Sequence, residues 1–217
     1  TTPYWLPNGV DLDFFDSDRE PDFSWRESNG YHSEDVLFLY AGIIGHAQGL
    51  EVILKAAKLI DNERVKFVLV GDGPVKNELL ELKQKMELTN VSFYPSIPKM
   101  EIFKVIQSVD AVVVPLRKLD LFLGAIPSKI FENLAMKKAL LLGVDGESRD
   151  LFVKEGNCGL YFEPENEHEL ANQVHLLMEN RHHIEELGEN GLKYVEKHFN
   201  RKVIAKEFKE FLINKEL

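Results

Sequence analysis

Val36-Leu-Phe-Leu-Tyr-Ala-Gly-Ile-Ile-Gly-His-Ala-Gln-Gly-Leu50 sets three patterns end to end. Val36–Tyr40 is a continuous apolar run of strand length. Gly42, Gly45 and Gly49 then space a loop, and from Leu50 the period changes. Leu50, Ile53, Leu54 and Ala57 fall on one face of a helix reaching Leu59, with Glu51, Lys55 and Lys58 on the other. A strand apolar at successive positions must be covered on both faces, which points to a parallel sheet between helices.

The same unit recurs along the chain. Phe67–Val70 reads as a strand, closed by Gly71-Asp-Gly-Pro74 and followed by a helix over about 75–86. Val91–Tyr94 is a third strand, followed by Pro95-Ser-Ile-Pro98 and a short helix over Lys99–Ser108. Ala111–Pro115, Ala139–Leu142 and Gly159–Phe162 are further strands, with a short helix at Arg149–Lys154 and two or more helices from about Glu167 onward. Strands alternating with helices predict an α/β fold: a Rossmann-like, doubly wound parallel sheet of about six strands with helices on both faces. Residues 16–35 read as an irregular polar segment, and residues 36–217 as the sheet domain with its terminal helices.

Ligands in such sheets bind beyond the carboxyl ends of the strands. The unusual residues gather there: the Gly42–Gly49 loop, Gly71–Pro74, Pro95–Pro98, and Gly124-Ala-Ile-Pro-Ser-Lys-Ile-Phe-Glu-Asn-Leu-Ala135. In the last stretch Pro127 and Ser128 are helix-start signals, and Ile130, Phe131, Leu134 and Ala135 form an apolar face. Lys129 and Glu132, three apart, share the other face in the first turn. Free amides and a lysine there suit an anion, and the carboxylate suits sugar hydroxyls. Taken alone the pair reads first as an ordinary surface Lys–Glu pair on a capped helix; the convergence of four loops favours a nucleotide-sugar cleft.

Composition narrows the alternatives. Hydrophobic content of 44% and charged content of 29% are ordinary for a globular domain. A net charge of −10 argues against a general affinity for nucleic acid or anionic lipid. Cys158, the single cysteine, excludes an internal disulfide and reads as a small buried residue. His46 reads as a surface loop residue. His182 and His183 are adjacent on a polar helix and make a poor metal pair. No metal site, nucleophile elbow or Walker loop is expected. The opening Thr-Thr-Pro-Tyr-Trp-Leu-Pro7 lacks the pattern of a signal peptide, and without a leading Met it suggests a fragment or processed chain.

Nearly the whole chain resembles the C-terminal domain of a GT-B glycosyltransferase of family 4. The resemblance rests on Pro7-Asn-Gly-Val-Asp11, Tyr40-Ala-Gly42 ahead of the Gly49-Leu50 helix start, and Val70-Gly-Asp-Gly-Pro74. It rests also on Val91-Ser-Phe-Tyr-Pro-Ser-Ile-Pro98, Asp110-Ala-Val-Val-Val-Pro115 and Pro127-Ser-Lys-Ile-Phe-Glu132. Gln48-Gly-Leu50 and the Pro127–Glu132 wording are similar to the N-acetylfucosamine transferase branch of surface-polysaccharide synthesis. The resemblance implies a nucleotide-diphosphate sugar donor, UDP-linked by preference, anomeric retention, and no cofactor or obligatory metal. It implies that Glu132 holds the donor ribose and that backbone near Ser96 and Ile97 reads the base. Gly42 and Gly45 would approach the diphosphate and sugar, and Lys129 would neutralise phosphate, with Gly71, Gln48, Gly124 and Ser128 at the same donor site. No catalytic residue is assignable in this domain.

The chain departs from the family pattern at three places. Gly124 stands where a second glutamate is frequent, Ile43 where an arginine is, and Gln48 where a lysine is. Lys129, Arg117 or Lys118 is expected to make up the lost phosphate charge. The resemblance also makes residues 1–15 a linker from a missing N-terminal domain that would carry the glycan or lipid-linked acceptor. The full enzyme would then be cytoplasmic, peripheral at the inner face of a membrane, and this portion inactive alone. A non-catalytic nucleotide- or sugar-binding module on the same fold is the competing reading; a phosphorylase or epimerase would use the same cleft.

Overall fold

The computed structural model describes residues 4–15 and 22–215; residues 16–21 of the expected polar segment, with the outermost residues of both ends, lie outside them. The sheet has six strands: β1 (Val36–Ala41), β2 (Val65–Val70), β3 (Val91–Tyr94), β4 (Ala111–Pro115), β5 (Ala139–Gly143) and β6 (Gly159–Tyr161). Their order is β3-β2-β1-β4-β5-β6, and every neighbouring pair is parallel. The chain builds outward from β1 to β3, then crosses back to β4 and builds outward the other way. The expected doubly wound sheet is therefore present, and its reversal point lies between β1 and β4, where Phe38 pairs with Ala111.

Alternation along β1 divides the core. Val36, Phe38 and Tyr40 pack into a cluster with α2 (Glu51–Leu59), α3 (Lys76–Lys85) and α7 (Glu167–Glu179). Leu37 and Leu39 point the opposite way, into a cluster with α4 (Lys99–Gln107) and α5 (Lys129–Ala135). Successive strand side chains face opposite sides, so an unbroken apolar run serves both layers. The helix α8 (Arg181–His198) feeds Ile184 and Leu187 to the first cluster and Val195 to the second.

Local differences from the sequence reading have local causes. β2 begins at Val65 because β1 offers partners along its whole length, Val36 pairing with Val65. The helix expected at Arg149–Lys154 is α6 (Glu147–Arg149), running directly into a π-helical turn over Asp150–Glu155. That wider turn delivers Phe152 into the core, 5.7 Å from Phe131 and 5.6 Å from Phe199 between ring centroids. Cys158 is buried, as the sequence suggested.

The polar segment before β1 is fastened down. Its helix α1 (Ser24–Ser28) carries Arg26, which donates to the carbonyls of Ser108 at 3.2 Å, His32 at 3.0 Å and Asp35, and pairs with Asp110 at 3.2 Å. Trp25 stacks on Tyr31 and meets Tyr94 edge-on, with centroids 5.1 Å apart. Nearer the start of the chain, Val10 bridges the junction of α8 with α9 (Arg201–Lys215). Its N–H donates to Phe199 at 2.9 Å, and its carbonyl accepts from Arg201 at 3.0 Å. Among the described residues no helix is long and apolar enough to cross a membrane.

Candidate functional site

The carboxyl ends of β1 and β2 are laced together before any ligand is considered. Gly42 donates to Val70 at 2.9 Å and Ile44 to Asp72 at 2.9 Å, while Gly71 donates to Tyr94 of β3 at 3.2 Å. Gly42 and Gly71 have φ of 141° and 151°, and a Cβ on Gly71 would lie 1.9 Å from the Gly42 carbonyl oxygen. Glycine is therefore required where the two backbones pass. Lys76, at the start of α3, reaches back to the Gly71 carbonyl at 2.8 Å and closes the turn from below.

Against this floor stands α5, and between them opens a cleft of about 380 Å³. Gly42, Gly71, Ser96, Ile97, Lys129 and Glu132, all named from sequence, line it together. They come from the four loops or helix starts beyond β1, β2, β3 and β4, so the four loops do converge. Ile102, Ile106 and Asn133 add to its lining. The cleft sits at the β1–β4 reversal, where open α/β sheets place ligands.

Other named residues lie elsewhere. Gly45 is buried beneath the loop, its Cβ position 2.9 Å from Gln48 Oε1, and neither residue lines the cleft. Ser128 and Gly124 are exposed outside it. The anion-binding helix start is also corrected. The N–H groups of Ile130 and Phe131 donate to the Pro127 and Ser128 carbonyls at 3.0 and 3.2 Å, and Ser128 makes no side-chain cap. Positive charge at this end of α5 thus comes from the Lys129 side chain rather than from those amides.

The cations expected to replace the missing loop charges are likewise committed. Arg117 pairs with Glu51 at 2.8 Å and Glu165 at 2.9 Å and donates to the His46 carbonyl at 2.7 Å. Lys118 pairs with Glu163 at 2.6 Å. Lys129 is different. Its ammonium lies 3.9 Å from the centroid of the Tyr40 ring, and burial pushes its pKa down to about 8, with Glu132 opposing. A second cation, Lys99, was not singled out from sequence; it follows Pro98 directly and stands 3.8 Å from Glu132 Oε1. Its only signal was its place next to the Ser96-Ile97 loop. Among the described residues no three His, Cys, Asp or Glu side chains are grouped to hold a metal ion.

The model of the family described as glycosyl transferases group 1 matches residues 22–194. The chain belongs to that family. Curated relatives include the O-antigen chain mannosyltransferase C of Escherichia coli, 24% identical over 194 residues, or 89% of this chain and 50% of that protein. The alpha-D-kanosaminyltransferase of Streptomyces kanamyceticus is 27% identical over 174 residues, 76% of this chain and 42% of that protein. The chain spans between about a quarter and a half of the curated relatives it matches.

Solved structures agree on the fold of this glycosyl transferase domain. Anabaena Alr3699/HepE in complex with UDP-glucose superposes with a TM-score of 0.82 at 19% identity, covering 96% of this chain and 57% of that one. The C-terminal domain of the group 1 family protein LpcC from Francisella tularensis matches with a TM-score of 0.71 at 18% identity, covering 89% of this chain and 100% of that one. The chain is thus similar to one half of a GT-B glycosyltransferase.

Proposed function

We propose that this domain binds the nucleotide-diphosphate sugar of a retaining, family 4-type glycosyltransferase, with a UDP-linked donor. One observation carries the reading: a phosphate-suited cation, a hydroxyl-accepting carboxylate and two bare glycine backbones converge on a single cleft at the sheet's reversal point. Glu132 accepts from the ribose hydroxyls, with Lys99 beside it. The backbone at Ser96 and Ile97 reads the base. Gly42 and Gly71 let the diphosphate approach the main chain, and Lys129 meets its charge. HepE, a structural neighbour, was solved with UDP and with UDP-glucose, which supports this choice of nucleotide.

The finer assignment follows from the sequence resemblance. It includes transfer to a glycan or lipid-linked acceptor, in the N-acetylfucosamine transferase-like branch, at the cytoplasmic face of a membrane and without an obligatory metal. The acceptor site lies on an N-terminal domain, so this portion binds donor without turning it over. A binding module without transfer is the second reading. It is favoured by neutral Ile43 and Gln48 where cations are frequent, by Gly124, and by the engagement of Arg117 and Lys118 elsewhere. Calorimetric titration with UDP, GDP and ADP, with and without magnesium, tests donor binding on the wild type and Glu132→Ala. The expected result is metal-independent binding of UDP in preference to the others, abolished by the substitution. Binding that ignores Glu132 contradicts the site. An acceptor-dependent rate from this chain alone contradicts the division of labour.

A further inference from the structure

Tyr40 is the penultimate residue of β1 and is 1% exposed. Its hydroxyl is too deep to reach bulk water and is satisfied by donating to the Ile43 carbonyl at 2.5 Å. Its side chain packs on the α2 side of the sheet, and the Lys129 ammonium, reaching over from α5, stands 3.9 Å from the ring centroid. The same ammonium is 2.7 Å from where a Cβ on Gly42 would lie, with the Tyr40 hydroxyl 3.7 Å from that point. Ring, cation and loop backbone therefore meet at one spot, the ring just behind the point where Gly42 and Lys129 line the cleft.

We propose that Tyr40 is a positioning residue for the donor diphosphate: its ring seats the Lys129 ammonium over Gly42, and its hydroxyl pins the β1 loop through the Ile43 carbonyl. The role rests on the donor-site reading above. Its logic is that an aromatic face attracts a cation without consuming its N–H donors or cancelling its charge. Arg117 and Lys118 show the alternative, each held by carboxylates and so neutralised. The Lys129 ammonium makes no hydrogen bond or ion pair among the described residues; the Tyr40 ring is what it rests on. Held by the ring, it keeps its donors for a ligand. In a loop with no cation of its own at Ile43 or Gln48, that seat supplies the missing charge where the backbone is barest.

The test compares UDP with uridine, which differ only in the diphosphate, by calorimetry on the wild type, Tyr40→Phe, Tyr40→Leu and Lys129→Met. The wild type is expected to prefer UDP. Tyr40→Leu should reduce that preference about tenfold with uridine affinity unchanged, and in a Lys129→Met background should have no more effect than Tyr40→Phe has there. Tyr40→Phe, which keeps the ring, should lose less than Tyr40→Leu. A purely structural role would weaken both ligands equally, and that outcome, or an unchanged ratio, overturns the proposal. Should Tyr40→Leu fail to fold, the seat is read in the wild type. The Lys129 ε-methylene protons should be shifted upfield by the ring current, and unshifted resonances overturn the proposal. A wild type that binds neither ligand defeats the donor-site reading itself, a different result from binding that ignores Tyr40.

Discussion

The backbone of Gly71 passes so close to Gly42 that a methyl group on the former would sit 1.9 Å from the carbonyl oxygen of the latter. The contact joins the turn after β2 to the loop after β1, and the cleft floor is built on it. Gly71→Ala must either part the two backbones or force a side chain into φ 151°. A cost of about 2 kcal/mol or more is expected, together with weakened UDP binding. Denaturant unfolding and calorimetry check both; an alanine variant with wild-type stability contradicts the packing.

Lys129 and Lys138 are both half-buried lysines whose pKa is pushed down to about 8 by desolvation, yet their substitutions should differ in sign. Lys138 donates to the carbonyls of Gln107 at 3.1 Å and Val109 at 2.8 Å. Lys138→Met orphans those acceptors and should destabilise by about 1–3 kcal/mol. Lys129→Met removes a desolvated charge held only by the Tyr40 ring, whose loss offsets part of the gain, and should stabilise at pH 7 by about 1–2 kcal/mol while weakening UDP binding. Paired unfolding curves decide the matter.

The same lysine sets a pH dependence. With a folded pKa of about 8 against an ordinary value of 10.5, the unfolded chain binds more protons between those limits. The Lys129 contribution to stability therefore rises as pH climbs from about 8 to about 10.5. Binding of a diphosphate requires the charged form, so UDP affinity should fall over the same range. Wild type and Lys129→Met, unfolded and titrated at pH 7 and pH 9.5, should differ in slope by this one group; parallel profiles contradict the assignment.

Arg26 fastens the segment before β1. Its side chain is 11% exposed, pairs with Asp110 and donates to four backbone carbonyls. Arg26→Ala removes the cation beside Asp110, which keeps the Leu37 N–H, and the donor to the Ser108 and Asp35 carbonyls, and should cost about 3 kcal/mol. Proteolysis of residues 22–35 should accelerate in parallel. An intact segment with unchanged stability contradicts the clamp.

Arg117 should matter to the fold rather than to the ligand. Its three-way hold on Glu51, Glu165 and the His46 carbonyl sits at a half-exposed site. Arg117→Ala is expected to cost about 1 kcal/mol and leave UDP affinity unchanged. A selective loss of UDP over uridine would place Arg117 at the phosphate after all.

What the sequence made visible follows from locality. The run Val36–Tyr40 and its glycine loop are contiguous, so their pattern alone implies a strand covered on both sides and a turn at its carboxyl end. Lys129 and Glu132 are neighbours on one helical turn, and they face the cleft together. The failures are non-local. Arg117 and Lys118 looked like free cations because their partners Glu51, Glu163 and Glu165 come from other elements. Tyr40 was absorbed into an apolar run, where nothing marks that a lysine from α5 comes to rest against its ring. The helix start at Pro127-Ser128 promised free amides, but tight bonds to Pro127 and Ser128 use the first of them.

The most direct measurement is the set of backbone amide shifts perturbed when UDP is titrated into the isotopically labelled chain. The donor-site account predicts changes concentrated at Gly42, Gly71, Ser96, Ile97, Lys129 and Glu132, with the cavity at the opposite end of the sheet, around Lys138 and Arg181, unmoved. Perturbations centred on that opposite cavity, or none at millimolar UDP, would contradict it.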